Sequence, residues 1–262
     1  MEKIGTYLEA MRAAPPLVQN ITNYVAMNVV ANVMLAAGAS PAMVHAREEA
    51  AEFAGIASAL TVNIGTLDPE WAAAMEEAAQ VMNAAGKPWV LDPVAVFATG
   101  FRRQAVARLV ALKPTVIRGN ASEIMAVAGA EAAGQGADAG DAVEAAEEAA
   151  RGLAKQTGGV VAVTGEVDFV TDGARAYRVD NGHAVMPKVT ALGCSLTGVV
   201  GAFVAGQPAL EGTVAALAYY GLAGERAGAR TDGPGSFAVA FLDELHGMTP
   251  EGLSAGARVR AA

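Results

Sequence analysis

Apolar positions along the chain fall into two kinds of stretch. The runs "LTVNIG" (60–65), "PWVLDPV" (88–94), "PTVIRGN" (114–120) and "GVVAVTG" (159–165) are short and nearly continuous. Such runs predict strands covered on both faces by helices, because neither face need be polar. Between them lie Ala- and Glu-rich stretches that read as helices. One is "DPEWAAAMEEAAQVMNAAG" (68–86), with Asp68 as N-cap and Pro69 at the first helical position. Another is "GFRRQAVARLVALK" (100–113), ended by Pro114. Strand–helix–strand alternation predicts right-handed crossovers and a mostly parallel sheet. "VDFVTDGARAYRV" (167–179) predicts a hairpin turning at Asp172-Gly173, added late to the sheet. The last third reads as helical over 193–206, 209–229 and 235–246.

The stretch 130–158 is of low complexity and predicts a flexible loop followed by a solvated helix. Nothing in it resembles a linker between domains, so residues 1–262 are expected to form one α/β domain. With 53% hydrophobic and 17% charged residues, the chain is expected to be globular. A net charge of −9 argues against nucleic acid or an anionic membrane surface as partner. Mean hydropathy is +0.32, yet alanine supplies much of it and no run is long enough to span a bilayer. One cysteine and no basic-then-apolar leader point to a reducing cytoplasm.

In open α/β sheets ligands bind beyond the carboxyl ends of the strands, so the residues at those ends are the ones expected to carry chemistry. Asp92 closes the second run, where it either holds Mg²⁺ or caps the turn before Pro93. Arg118, Asn120 and Glu123 follow the third. Capping explains Asn120 and Glu123. It leaves Arg118 as a cation at a buried strand end, calling for an anionic partner such as a phosphate. Thr164-Gly165 is a polar turn after the fourth run. Gly193 and Cys194 open a helix whose first N–H groups offer an anion site and should favour a thiolate. Carboxylates for a metal, a cation and backbone donors are the parts that phosphoryl transfer requires. No phosphate-loop or dinucleotide glycine motif is present.

Taken together, "PLVQNITNYVAMNVVANVMLAAGASPAMVHAREE" (16–49), "LTVNIGTL" (60–67), "VLDPV" (90–94), "VIRGNASEI" (116–124), "VAVTGEVDFVTDG" (161–173), "KVTALGCSLTGVVGAF" (188–203) and "GPGSF" (233–237) resemble the hydroxyethylthiazole kinase family of the ribokinase-like superfamily. The resemblance implies a three-layer ribokinase-like sandwich with a mostly parallel central sheet. It implies phosphorylation of the primary alcohol of 4-methyl-5-(2-hydroxyethyl)thiazole by ATP with Mg²⁺, in thiamine biosynthesis. Carried over by position, Met43, Ala191 and Asn23 (in "QNITN") become substrate contacts, and Arg118 and Thr164 ATP contacts. Asp92 and Glu123 arrange the metal, and Gly193 with Cys194 forms the anion-binding helix start. Cys194 stands where sugar-kinase relatives carry an aspartate base, which makes it the catalytic candidate. The resemblance also implies a homotrimer with sites at the subunit interfaces. One departure is visible: the family's Gly-x-Gly-Cys reads Ala191-Leu192-Gly193-Cys194 here, so altered substrate fit or rate is expected before loss of activity.

Two alternatives fit the same residues. One is a related kinase acting on a pyrimidine or pyridoxal alcohol; the other is a thiazole- or nucleotide-binding homologue with weak turnover. Asp92, Arg118 and Glu123 together favour an active enzyme, since a pure binder has little need of a metal-holding pair. A cysteine hydrolase has little support, because nothing local selects His45, His183 or His246 as its base.

Overall fold

The computed structural model describes residues 3–129 and 139–262. The loop read over the first part of 130–158 falls on residues outside the described ones. Among the described residues, nine strands form one sheet: β1 (Leu17–Ile21), β2 (Ser40–Ala42), β3 (Ala59–Asn63), β4 (Trp89–Asp92), β5 (Val116–Asn120), β6 (Val160–Thr164), β7 (Asp168–Thr171), β8 (Ala176–Val179) and β9 (Val259–Ala261). Their order is β2-β1-β3-β4-β5-β6-β7-β8-β9. Pairing is parallel from β2 through β6 and antiparallel from there to β9.

The strands bury alternate side chains on opposite faces, as their period of two requires. Val18, Val90, Val116 and Ala162 join one core, with α1 (Gly5–Ala13), α2 (Met27–Ala37), α8 (Leu192–Val204), α9 (Ala209–Gly228), α10 (Pro234–Gly247) and α11 (Pro250–Gly256). Leu60, Leu91, Ile117 and Val161 join the other, with α3 (Arg47–Ile56), α4 (Pro69–Ala84), α5 (Gly100–Ala111), α6 (Ala121–Val127) and α7 (Ala139–Thr157). Two apolar faces need two helical layers. That is the three-layer α/β arrangement expected.

Local signals behave as their chemistry dictates. Asp68 caps α4, accepting from the Trp71 N–H at 2.9 Å, with Pro69 next. β4 is shorter than the run 88–94 because the prolines bounding it, Pro88 and Pro93, cannot donate to the ladder. The helix at 100 is capped by Thr99, which accepts from Arg102 N–H at 3.2 Å. In the hairpin, Asp172 Oδ1 accepts from the backbone N–H groups of Ala174 and Arg175, closing the turn. The apolar pattern does not reveal α1, β1, α2, β2 and α3, nor α11 and β9. Among them β1 and β2 are five and three residues long and lie at one end of the sheet order.

Candidate active site

The carboxyl ends of the parallel strands carry a buried polar row. Asn23 follows β1, Asn63 ends β3, Asp92 ends β4 and Arg118 lies in β5, all buried, and half-buried Thr164 ends β6. The start of α8 faces this row. Asp92 is 1% exposed, and its Oδ2 accepts from Asn63 Nδ2 at 2.7 Å and Thr197 Oγ1 at 2.8 Å, with Arg118 Nη1 at 3.5 Å. Its Oδ1 is buried with no partner among the described residues. Burial pushes the Asp92 carboxyl up to about 6, and nearby Glu123 adds to this, while Arg118, Thr197 and Asn63 pull the other way.

Arg118 does not wait for a phosphate to satisfy it. Besides Asp92, it donates to the Gly193 carbonyl at 3.0 Å and to Thr164 Oγ1 at 2.7 Å. The expectation of an unpartnered cation is therefore corrected: the protein supplies the anion, and Nε alone has no partner among the described residues. Glu123 forms a capping box with Asn120, accepting its N–H at 2.9 Å, and its other oxygen accepts from Ala95 N–H at 3.0 Å. Both its oxygens hold backbone donors.

Cys194 sits in the first turn of α8, receiving a hydrogen bond from Asn23 Nδ2 at 3.3 Å. The expectation of a favoured thiolate is overturned. Burial raises the thiol first, and the neighbouring Asp92 carboxylate raises it further, against the smaller help of Asn23 and Asn63. The helix ladder begins with Ser195 N–H to the Ala191 carbonyl at 2.8 Å, so the N–H groups of Leu192, Gly193 and Cys194 precede it. Ala191 turns the chain into the helix with φ +63° and ψ +5°, the left-handed region that the departure from Gly-x-Gly-Cys put in question.

A cavity of about 1040 Å³ opens beside this row, lined by Arg118, Thr164, Asp168, Ala191, Gly193 and Tyr220 among others. Asp168, in its wall, is pushed up to about 7 by burial, against the Gly165 N–H that it accepts and the Arg118 charge. Met43 does not line the cavity. It is half-buried just past the edge strand β2 and packs against the core shared with α8. The structure thus brings together Asn23, Asp92, Arg118, Thr164, Gly193 and Cys194, with Glu123 near Asp92 and Met43 at the sheet margin. Asn63, Thr197 and Asp168 escaped the sequence reading. Asn63 had a signal, a polar residue closing an apolar run; Thr197 lies one helical turn beyond Cys194 inside a small-residue run and had none.

The sequence model of the hydroxyethylthiazole kinase family matches residues 8–251. The chain belongs to the hydroxyethylthiazole kinase family. It is 68% identical over all 262 residues to a hydroxyethylthiazole kinase of Cereibacter sphaeroides, covering both chains fully. The structure of the Pyrococcus horikoshii hydroxyethylthiazole kinase superposes with a TM-score of 0.93 at 40% identity, with both chains covered fully. A Staphylococcus aureus pyridoxal kinase solved with AMP-PCP and pyridoxal matches at TM-score 0.63 and 15% identity, over 95% of this chain and 100% of that one. At that identity the likeness speaks for the ribokinase-like fold alone. Among the described residues, no helix is long and apolar enough to cross a membrane.

Proposed function

We propose that this chain, acting as one ribokinase-like domain, transfers the γ-phosphoryl group of ATP to the primary alcohol of 4-methyl-5-(2-hydroxyethyl)thiazole, for thiamine biosynthesis in the cytoplasm. The observation that carries this reading is a single buried row. It joins a carboxylate with a free oxygen (Asp92), a fixed cation (Arg118) and an uncapped helix start (Leu192 to Cys194) beside a cavity large enough for a nucleotide.

The donor set fits a magnesium ion that arrives with its nucleotide. Mg²⁺ is held by one or two carboxylates, with phosphate and water completing its octahedron. Asp92 Oδ1 is a buried acceptor lacking a donor. Among the described residues, no three His, Cys, Asp or Glu side chains group to form an all-protein cage. Asp92 would hold the ion directly or through water, with Glu123 adding negative charge behind it. When bound, the ion neutralises charge on the β- and γ-phosphoryl oxygens.

In this reading Arg118 and Thr164 meet the phosphates of ATP. The N–H groups of Gly193 and Cys194 receive negative charge as it develops on the transferred group. Met43, Ala191 and Asn23 bind the thiazole alcohol. Cys194 holds the hydroxyl, and its minor thiolate form, which burial and Asp92 disfavour, takes the proton late, in a loose transition state that asks little of its base. The homotrimer reading is supported by exposed Tyr24 and Val25, next to Asn23 just before α2, and by exposed Leu35 within α2. ADP release is the test, with ATP, Mg²⁺ and the thiazole alcohol beside pyridoxal and a pyrimidine alcohol. Turnover is expected with the thiazole; turnover with either control alone refutes the substrate.

A further inference from the structure

Resting on the phosphotransferase reading above, we propose that Asn63 is a positioning residue. With Thr197 it pins Asp92 through Oδ2, so that Oδ1 alone is presented to the divalent cation, and it ties that carboxylate to the thiol end of the site.

The Asn63 amide is held in one orientation. Its Oδ1 accepts from Asn23 Nδ2 at 2.8 Å and from the Gly65 N–H at 2.9 Å, and its Nδ2 donates to Asp92 Oδ2 at 2.7 Å. A reversed amide would set oxygen against the carboxylate and NH₂ against two donors. The room for this arrangement is built by glycine: a Cβ on Gly65 would stand 2.6 Å from Asn23 Nδ2. Asn23 in turn donates to Cys194 Sγ, so two amides in series link the β4 carboxylate to the first turn of α8. Thr197 reaches the same Oδ2 from the next turn of that helix.

The consequence is asymmetry. A carboxylate rotates readily about its last torsion, whose profile is broad and two-fold. Here two close donors and a distant guanidinium converge on one oxygen, and the other has none. Burying an acceptor without a donor is unfavourable. That cost is tolerated most readily where a ligand later supplies the partner. Asn63 and Thr197 make no use of the cavity wall themselves, so their effect on a metal must pass through Asp92. Groups that orient a metal-binding carboxylate in this way change metal affinity by roughly 10- to 100-fold when removed.

The experiment uses the full chain, Mn²⁺ as metal probe and ADP as nucleotide. ADP affinity is measured by calorimetry with and without Mn²⁺, and bound Mn²⁺ by electron paramagnetic resonance. Asn63→Leu, close in shape but without the amide, is expected to reduce the Mn²⁺-dependent gain in ADP affinity at least about tenfold. Metal-free ADP affinity should stay within about twofold, since neither side chain lines the nucleotide cavity. Thr197→Val should act in the same direction, and Thr197→Ser should restore the gain. A general disturbance of the fold would lower both affinities together, and that result overturns the proposal; so does an undiminished gain in both variants. If Asn63→Leu fails to fold, Thr197→Val keeps the side-chain shape and decides the matter. A wild-type chain that gains nothing from Mn²⁺ and releases no ADP refutes the phosphotransferase reading, and this proposal with it. A wild-type gain that the variants keep refutes the positioning role alone.

Discussion

Ala191 offers the sharpest test of how this site is built. It occupies the left-handed region at φ +63° and ψ +5°, and its side chain makes no capping hydrogen bond. A residue with a Cβ loses about 1–2 kcal/mol there. Ala191→Gly removes that strain but frees the unfolded chain, an opposing effect of about 0.4–1 kcal/mol. The net expectation is a gain of about 0.5–1 kcal/mol, which for a chain of this size raises Tm by about 1–4 °C. Ala191→Val should move the other way, because a β-branched side chain tolerates positive φ least. Scanning calorimetry on the three chains without ligand reads the series directly. A Tm order other than Gly above Ala above Val would refute the strain argument. ADP release measured alongside shows whether the methyl also affects thiazole fit. If it does, the glycine variant should change KM for the alcohol more than KM for ATP.

Three further outcomes follow from the same geometry. Cys194→Ala should lower kcat by about 10²-fold while Cys194→Asp stays active; full activity in Ala with none in Asp contradicts the proton-accepting role. Arg118→Met leaves Asp92 buried without its cation and should lower stability by about 3–5 kcal/mol at neutral pH in urea unfolding. A small loss would show that Asn63 and Thr197 suffice to hold Asp92. For pH, Asp168 at about 7 and Asp92 at about 6 keep protons in the folded chain that the unfolded chain, with both near 3.8, has released. The folded state therefore binds more protons between about pH 4 and 7, and stability falls as pH rises through that window. The urea midpoint should be higher at pH 5 than at pH 7.5, and Asp168→Asn should shrink the difference. A midpoint that drops on mild acidification contradicts both shifts.

How far the sequence alone reaches is seen in which residues it exposes. Continuous apolar runs revealed β3, β4, β5 and β6 because a strand buried on both faces has no reason to alternate. Prolines and caps then set the ends of α4 and α5. The short strands β1 and β2 were missed for a related reason. β1 carries buried Gln19 and Asn20, and Gln19 is kept by donating to the carbonyls of Val44 and Ala50. A polar pair inside a strand reads as a loop until its partners from another segment are known.

The candidate site divides along the same line. Asp92, Arg118, Thr164 and Cys194 could be picked out because each stands where strand-end logic puts chemistry. Their state could not. The helix start predicted a thiolate at Cys194, and the fold instead half-buries that thiol and sets it near Asp92, both of which work against the charge. Arg118 looked unpaired because its anion lies 26 residues away in sequence. Asn63 and Thr197, which decide how Asp92 presents itself, lie 29 and 105 residues from it. Position along a strand carries a residue's chance of being functional, whereas its protonation and orientation depend on neighbours that only the sheet order brings together. The residues hardest to read from sequence are thus the ones whose role is exercised through another side chain, and Asn63 is the test of that view.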